Sequence, residues 1–190
     1  DNIKTTSNFY QLLDPSSPEV DLNHADGVYL DMAMFYESSG YHPEYIMKES
    51  KVRRDFMESV VRQLKPILKE LGGKPLILEA SNLTYHQAEK LQGFPGHDRD
   101  IYDLSGAARL IEFSKLFDFE LEIVSIIRNR ESLRNLWFAI PDVRTGIEQG
   151  EIKKAITSFG FRRSSSFKIL SVVDTALGAI EVKELIDNGI

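Results

Sequence analysis

Three carboxylates in this sequence each follow a short apolar run and precede a helical pattern: Asp31 after Gly27 to Leu30, Glu79 after Leu76 to Leu78, and Asp174 after Phe167 to Val173. Oxygen ligands brought together repel one another unless a hard cation lies between them, so this trio would suit Mg²⁺ or Mn²⁺. Such an ion activates water and stabilises the leaving oxygen in phosphodiester hydrolysis. Arg128, with Arg130 close behind, follows another apolar stretch and offers guanidinium groups for phosphate. Asp174 has a plainer use as well, since an aspartate before Thr175 and an apolar run is an ordinary helix N-cap.

These side chains can meet only if the apolar runs are neighbouring strands, because parallel α/β sheets bind ligands at the carboxyl ends of their strands. The pattern predicts strands over Gly27 to Leu30, Pro75 to Leu78, Phe119 to Ile127 and Phe167 to Val173, alternating with amphipathic helices. That is a three-layer α/β sandwich with a mostly parallel central sheet of at least four strands. Apolar residues from Val52 to Leu71 recur at helical steps, with a kink or a broken last turn expected at Pro66 and a stop at Gly72-Gly73. Further helices are expected after the Thr84 to Gln87 capping box, over Leu104 to Phe117, around Leu133, Leu136 and Trp137, over Glu148 to Phe159 and from Ala176 to Ile190.

Met32 to Tyr45 reads as a long loop or hairpin able to cover a site, with His42 in it as a packing or hydrogen-bonding residue. Asp98, Asp100 and Asp103 read as a polar loop before a helix rather than as metal ligands. Residues 1–26 form an N-terminal extension with a short helix at Ser7 to Leu13, and 27–190 a single domain.

The chain has 190 residues and an ordinary apolar and charged content, enough for one core. It lacks cysteine, which excludes disulfides and thiolate chemistry and makes the cytoplasm the default compartment. No apolar run reaches the ~20 residues of a membrane span, so no membrane partner is expected. The net charge of −6 opposes general adhesion to nucleic acid, but residues 128–168 hold nine Lys/Arg against four Asp/Glu. A basic segment beside strand-end carboxylates is what a nuclease needs.

Leu76-Ile-Leu-Glu79, and Val172-Val-Asp-Thr-Ala-Leu-Gly-Ala179 opening the last helix, resemble the acidic motifs of RuvC-type resolvases of the RNase H-like superfamily. The resemblance implies metal-dependent phosphodiester cleavage, with Asp31, Glu79 and Asp174 as ligands, although Asp31 lacks the Gly-containing hairpin that usually follows. Ser171-Val-Val-Asp174, with the closing Glu184 to Ile190, is similar to the end of PIN/NYN ribonuclease domains, whose second aspartate is absent at Ala176 and Leu177. Both imply the same reaction class.

Two readings come from other classes. Asp26 to Asp31 with Pro75 to Glu79 resembles the strand-end acids of (β/α)-barrel glycoside hydrolases, which implies an acid and a nucleophile flanking a sugar. Four strands make half such a barrel, so this reading requires a fragment of a larger chain. The other is a non-catalytic α/β interaction module, in which the acids serve as caps.

Overall fold

The computed structural model describes residues 8, 10–12, 24–96, 102–162, 164 and 166–189. Five strands, β1 (Tyr10–Leu12), β2 (Gly27–Asp31), β3 (Leu76–Glu79), β4 (Leu136–Ile140) and β5 (Ile169–Ser171), form one sheet in the order β1-β2-β3-β4-β5. Every pairing is parallel. The expected α/β architecture is therefore present. Each strand lies beside the next in sequence, which is also the order of (β/α)-barrel sheets.

The pleat divides the strands into two rows. Val28, Leu30, Leu76, Leu78, Leu136, Phe138 and Ile140 enter the main apolar cluster. The alternate row carries Tyr29 and Asp31 on β2, Ile77 and Glu79 on β3, and Trp137 and Ala139 on β4. Ile77 is buried as well, so β3 is covered on both faces.

Between β2 and β3 run α1 (Ala33–Ser39), α2 (Pro43–Lys48) and α3 (Ser50–Glu70). The predicted loop or hairpin at Met32 to Tyr45 is thus two helices. Gly40, at φ 71, closes α1, and the imidazole of His42 caps α2 by accepting from the Glu44 amide. The α3 helix buries Phe56, Val60, Leu64 and Leu68 and continues through Pro66 to Glu70. Its stop comes where expected, with Gly72 and Gly73 at positive φ.

After β3 come α4 (Tyr85–Ala88), α5 (Gly106–Glu112) and α6 (Ser114–Ser125), the last continuing into a π-helical turn at Ile126–Arg130. The Thr84–Gln87 capping box forms as the sequence predicts. The predicted third strand, Phe119 to Ile127, does not form, because that stretch is the end of α6 and the π turn. Its alternation Phe119-Glu-Leu-Glu-Ile123 mimics a half-buried strand only because Glu120 is taken into the core. The strand lies instead at Leu136–Ile140, where the spacing of Leu133, Leu136 and Trp137 imitates a helix.

The chain closes with α7 (Gly146–Ser158), β5, α8 (Ala176–Ile180) and α9 (Val182–Asp187). At the other end, Tyr10–Leu12 is strand rather than the predicted helix and pairs with Gly27–Tyr29. Among the described residues no helix is long and apolar enough to cross a membrane.

Gly27 lets β2 start against the turn before β3. A Cβ there would lie 2.3 Å from the carbonyl oxygen of Pro75, a backbone atom that also accepts the Val28 amide. Gly27→Ala is therefore expected to destabilise by about 2 kcal/mol or more, the usual scale of forced overpacking. Urea unfolding checks this, and an unchanged midpoint would contradict it.

Candidate functional site

The strand order delivers several carboxylates to one rim. Asp31 and Glu79 end β2 and β3 in direct register, on the same face of strands about 4.8 Å apart. Ala139 takes the next place on β4, so the acid of that strand comes later, at Asp142, beyond Ile140-Pro141. Asp174 follows β5 and is exposed.

Asp31 accepts a hydrogen bond from the Ala33 amide at 2.8 Å, which ties its carboxylate to the start of α1. Burial still pushes it up to about 6, helped by the charge of Glu37 and opposed by Arg109. Glu79 is half-buried and held up at about 7, first by burial and then by Asp31, Asp174 and Asp142, while the Tyr29 hydroxyl donates to it. Tyr29 is raised in turn by burial and by Glu79, Asp31 and Asp174.

Asp142 and Asp174 lie close enough to act on each other, and they are pushed apart in opposite directions. Asp174 is raised by its partner and then by burial. Burial also works on Asp142, but hydrogen bonds from Asp174, Ser105 and Asn82 outweigh it and hold this carboxyl below the usual range.

The surrounding loops fix Asp142. Its backbone is left-handed at φ 46, and Asn82 donates to it at 3.2 Å. The Asn82 side-chain Oδ1 accepts from the Gly106 amide at 2.9 Å and from Arg109 at 2.5 Å, and Arg109 also donates to the Leu83 backbone carbonyl. Arg144 donates to the Ser105 hydroxyl at 2.6 Å. Below Asn82, the fully buried Glu120 accepts from the Ser81 amide, the Ser81 hydroxyl and the Tyr36 hydroxyl. Burial raises Glu120 to about 7 against those hydrogen bonds.

Of the residues singled out in the sequence, Asp31, Glu79 and Asp174 reach this rim, where the charges of Asp31 and Asp174 act on Glu79. Arg128 and Arg130 do not. Arg128 is buried at the amino end of β4, where it donates to the Arg134 and Leu136 carbonyls at 2.6 and 2.5 Å and covers the Phe167 ring. Its Nη1 holds the π turn to β4, and Arg130 stands exposed on that turn. Neither arginine of the pair expected to hold phosphate therefore stands beside the strand-end carboxylates. His42 packs against Phe94 and Tyr102, and burial lowers it to about 4. Asp98 and Asp100 lie outside the described residues.

Asn82, Arg109, Asp142 and Glu120 escaped the sequence reading. Asp142 had a usable signal, since it stands just past an apolar run closed by proline, but that run was taken for a helix. Among the described residues no three His, Cys, Asp or Glu side chains form a ready-made cage for an ion.

Linkage gives the rim a measurable signature. Asp31, Glu79 and Glu120 titrate higher in the folded than in the unfolded chain, so the folded state binds more protons between about pH 4 and 7. Their contribution is full below the unfolded pKa values and is lost as pH rises through about 6 to 7. Allowing for solvent screening, each loss is worth about 2 kcal/mol. Calorimetry in chelator should therefore give a lower melting temperature at pH 8 than at pH 5, and a rising profile would contradict these assignments.

No family model matches the chain. Over 174 residues it is 22% identical to phosphoenolpyruvate synthase of Aeropyrum pernix, a match covering 85% of this chain and 21% of that protein. The chain thus spans about a fifth of that relative's length.

Proposed function

We propose that this chain carries a divalent-cation site for chemistry on a phosphate ester, with Asp31 and Glu79 as the cation's protein ligands. The observation that carries this reading is the in-register pair, two half-buried carboxylates side by side whose protonation is driven up by burial and by their acidic neighbours. A cation would relieve that cost. Mg²⁺ is commonly held by one or two carboxylates, waters and substrate phosphate oxygens rather than by a protein cage, so a pair is a sufficient protein contribution. Mn²⁺ would serve in the same way.

The ion would polarise the phosphoryl oxygen and lower the pKa of a bound water. Asp174, raised by Asp142 beside it, is the rim's candidate proton donor to a leaving oxygen. The phosphate itself would approach through the cation, since the nearby guanidinium groups of Arg109 and Arg144 are already bonded to Asn82, Leu83 and Ser105.

Hydrolysis of a nucleic-acid phosphodiester is one form of this chemistry. The likeness to phosphoenolpyruvate synthase, whose name specifies a small phosphate ester, favours a small substrate. So does the placement of Arg128 and Arg130 away from the rim.

Titration calorimetry tests the reading. Mn²⁺ should bind, and phosphoenolpyruvate or p-nitrophenyl phosphate should bind in the presence of Mn²⁺ and not in chelator. Equal binding of the ester with and without the ion would refute the proposal.

A further inference from the structure

Away from the strand-end rim, the surface carries two unlike patches that match each other in polarity. The first is a groove of about 550 Å³ between α3 and the π-helical turn. Met57, Val61 and Ile126 line it with apolar atoms, and Arg62 and Arg130 give it cations beside the single carboxylate of Glu58 and the ion-paired Arg54 and Glu131. Lys65 pairs with Glu131 and Arg53 with Glu122, whereas neither Arg62 nor Arg130 forms an ion pair among the described residues. The lining positions on α3 recur at three- and four-residue steps from Ser50 to Pro66, a stripe of roughly 24 Å at 1.5 Å per residue.

The second patch is the C-terminal helical pair. Leu177 is 45% exposed, Ile180 76%, Val182 39% and Ile186 36%. Glu181, Glu184 and Asp187 lie among them, opposed by Lys183. Four large apolar side chains exposed within ten residues, set among acids, present an amphipathic acidic surface. An apolar groove with a cationic rim is the complement of such a surface, in the manner of an amphipathic helix laid in a groove. The helices α8 and α9, roughly 8 and 9 Å long, each fit within the stripe.

We infer that the α3 groove of one copy of this chain receives the α8–α9 pair of a second copy. Apolar contact of Ile180 and Leu177 with the Met57, Val61 and Ile126 floor supplies burial. Arg62 and Arg130 against Glu181 and Glu184 set the orientation. The contact joins two different patches, so it is heterologous, and each copy offers both halves.

That asymmetry gives a decisive experiment. In sedimentation velocity, the wild-type mass should rise with concentration across the micromolar range, and high salt should weaken the effect. The groove variant Arg62→Glu/Arg130→Glu and the tail variant Ile180→Asp should each sediment as monomers. Both change exposed side chains, and circular dichroism confirms that they fold. Mixed in equal amounts, the two variants should form one-to-one pairs, because one retains its tail and the other its groove. A wild type that stays monomeric, variants that associate like wild type, or a mixture that stays monomeric would each overturn the inference. Association lost in the tail variant alone would also overturn it, by assigning the tail a different partner surface.

Discussion

Glu79→Gln should remove the stabilisation of this protein by Mn²⁺ while raising the melting temperature of the cation-free form at pH 8. The glutamine keeps the volume and can still accept from Tyr29, but it carries no charge for burial, Asp31, Asp142 and Asp174 to penalise. The relief is expected to be about 2 kcal/mol at pH 8 and to shrink towards pH 5, where the glutamate is already protonated. Wild type at 100 times the Mn²⁺ dissociation constant should gain about 2.7 kcal/mol that the variant does not. Ester turnover, where present, should fall in the variant by about a hundredfold or more, the scale of losing several kcal/mol of charge stabilisation. Asp31→Asn should behave in the same way. If Glu79→Gln instead lowers stability at every pH and wild type ignores Mn²⁺, Glu79 is a structural residue and the proposed site is wrong.

The second large effect is expected at Glu120, which touches no candidate ligand position. Glu120→Ala leaves the Ser81 amide, the Ser81 hydroxyl and the Tyr36 hydroxyl without their buried acceptor, and opens a cavity between α6 and β3. Unsatisfied buried donors cost about 1 to 3 kcal/mol each and do not add fully, so a loss of about 3 to 5 kcal/mol is expected. Ser81 precedes Asn82, which holds both Asp142 and Arg109, so the variant should also blunt the Mn²⁺ response. Glu120→Gln keeps one acceptor oxygen and should lose about half as much. Urea unfolding of the two variants measures both effects, and a neutral Glu120→Ala would mean that the Ser81 segment is held by other contacts.

The elements that proved legible were those whose local pattern and tertiary fate agree. Leu76-Ile-Leu78 is bounded by turn residues and buried on both faces, so β3 and its terminal Glu79 could be read directly. Gly72-Gly73 and the Thr84–Gln87 box work through their own backbone geometry and needed no knowledge of neighbours. The third strand was misread because Glu120 breaks the rule that charges face water. Its burial depends on Tyr36 and Ser81, which lie far from it in sequence. That one error displaced β4 into a predicted helix, hid Asp142 and gave Arg128 a strand end it does not occupy. Which acids share the rim was not legible either, since it follows from pairing order and not from any single segment.

That pairing order bears on how the chain is made. Each strand waits only for its successor, and the widest gap in the ladder separates Leu76 from Leu136. No strand must be held open for a distant partner, as it would be if the sheet reversed direction and returned to an early edge. Domains form N-terminal parts first as they are synthesised at about 5 to 20 residues per second. A nascent chain of this topology can add βα units to a growing sheet while still on the ribosome. The growing edge, opposite β1, is then the one its next segment is about to cover, which shortens the time available for a wrong strand to pair there.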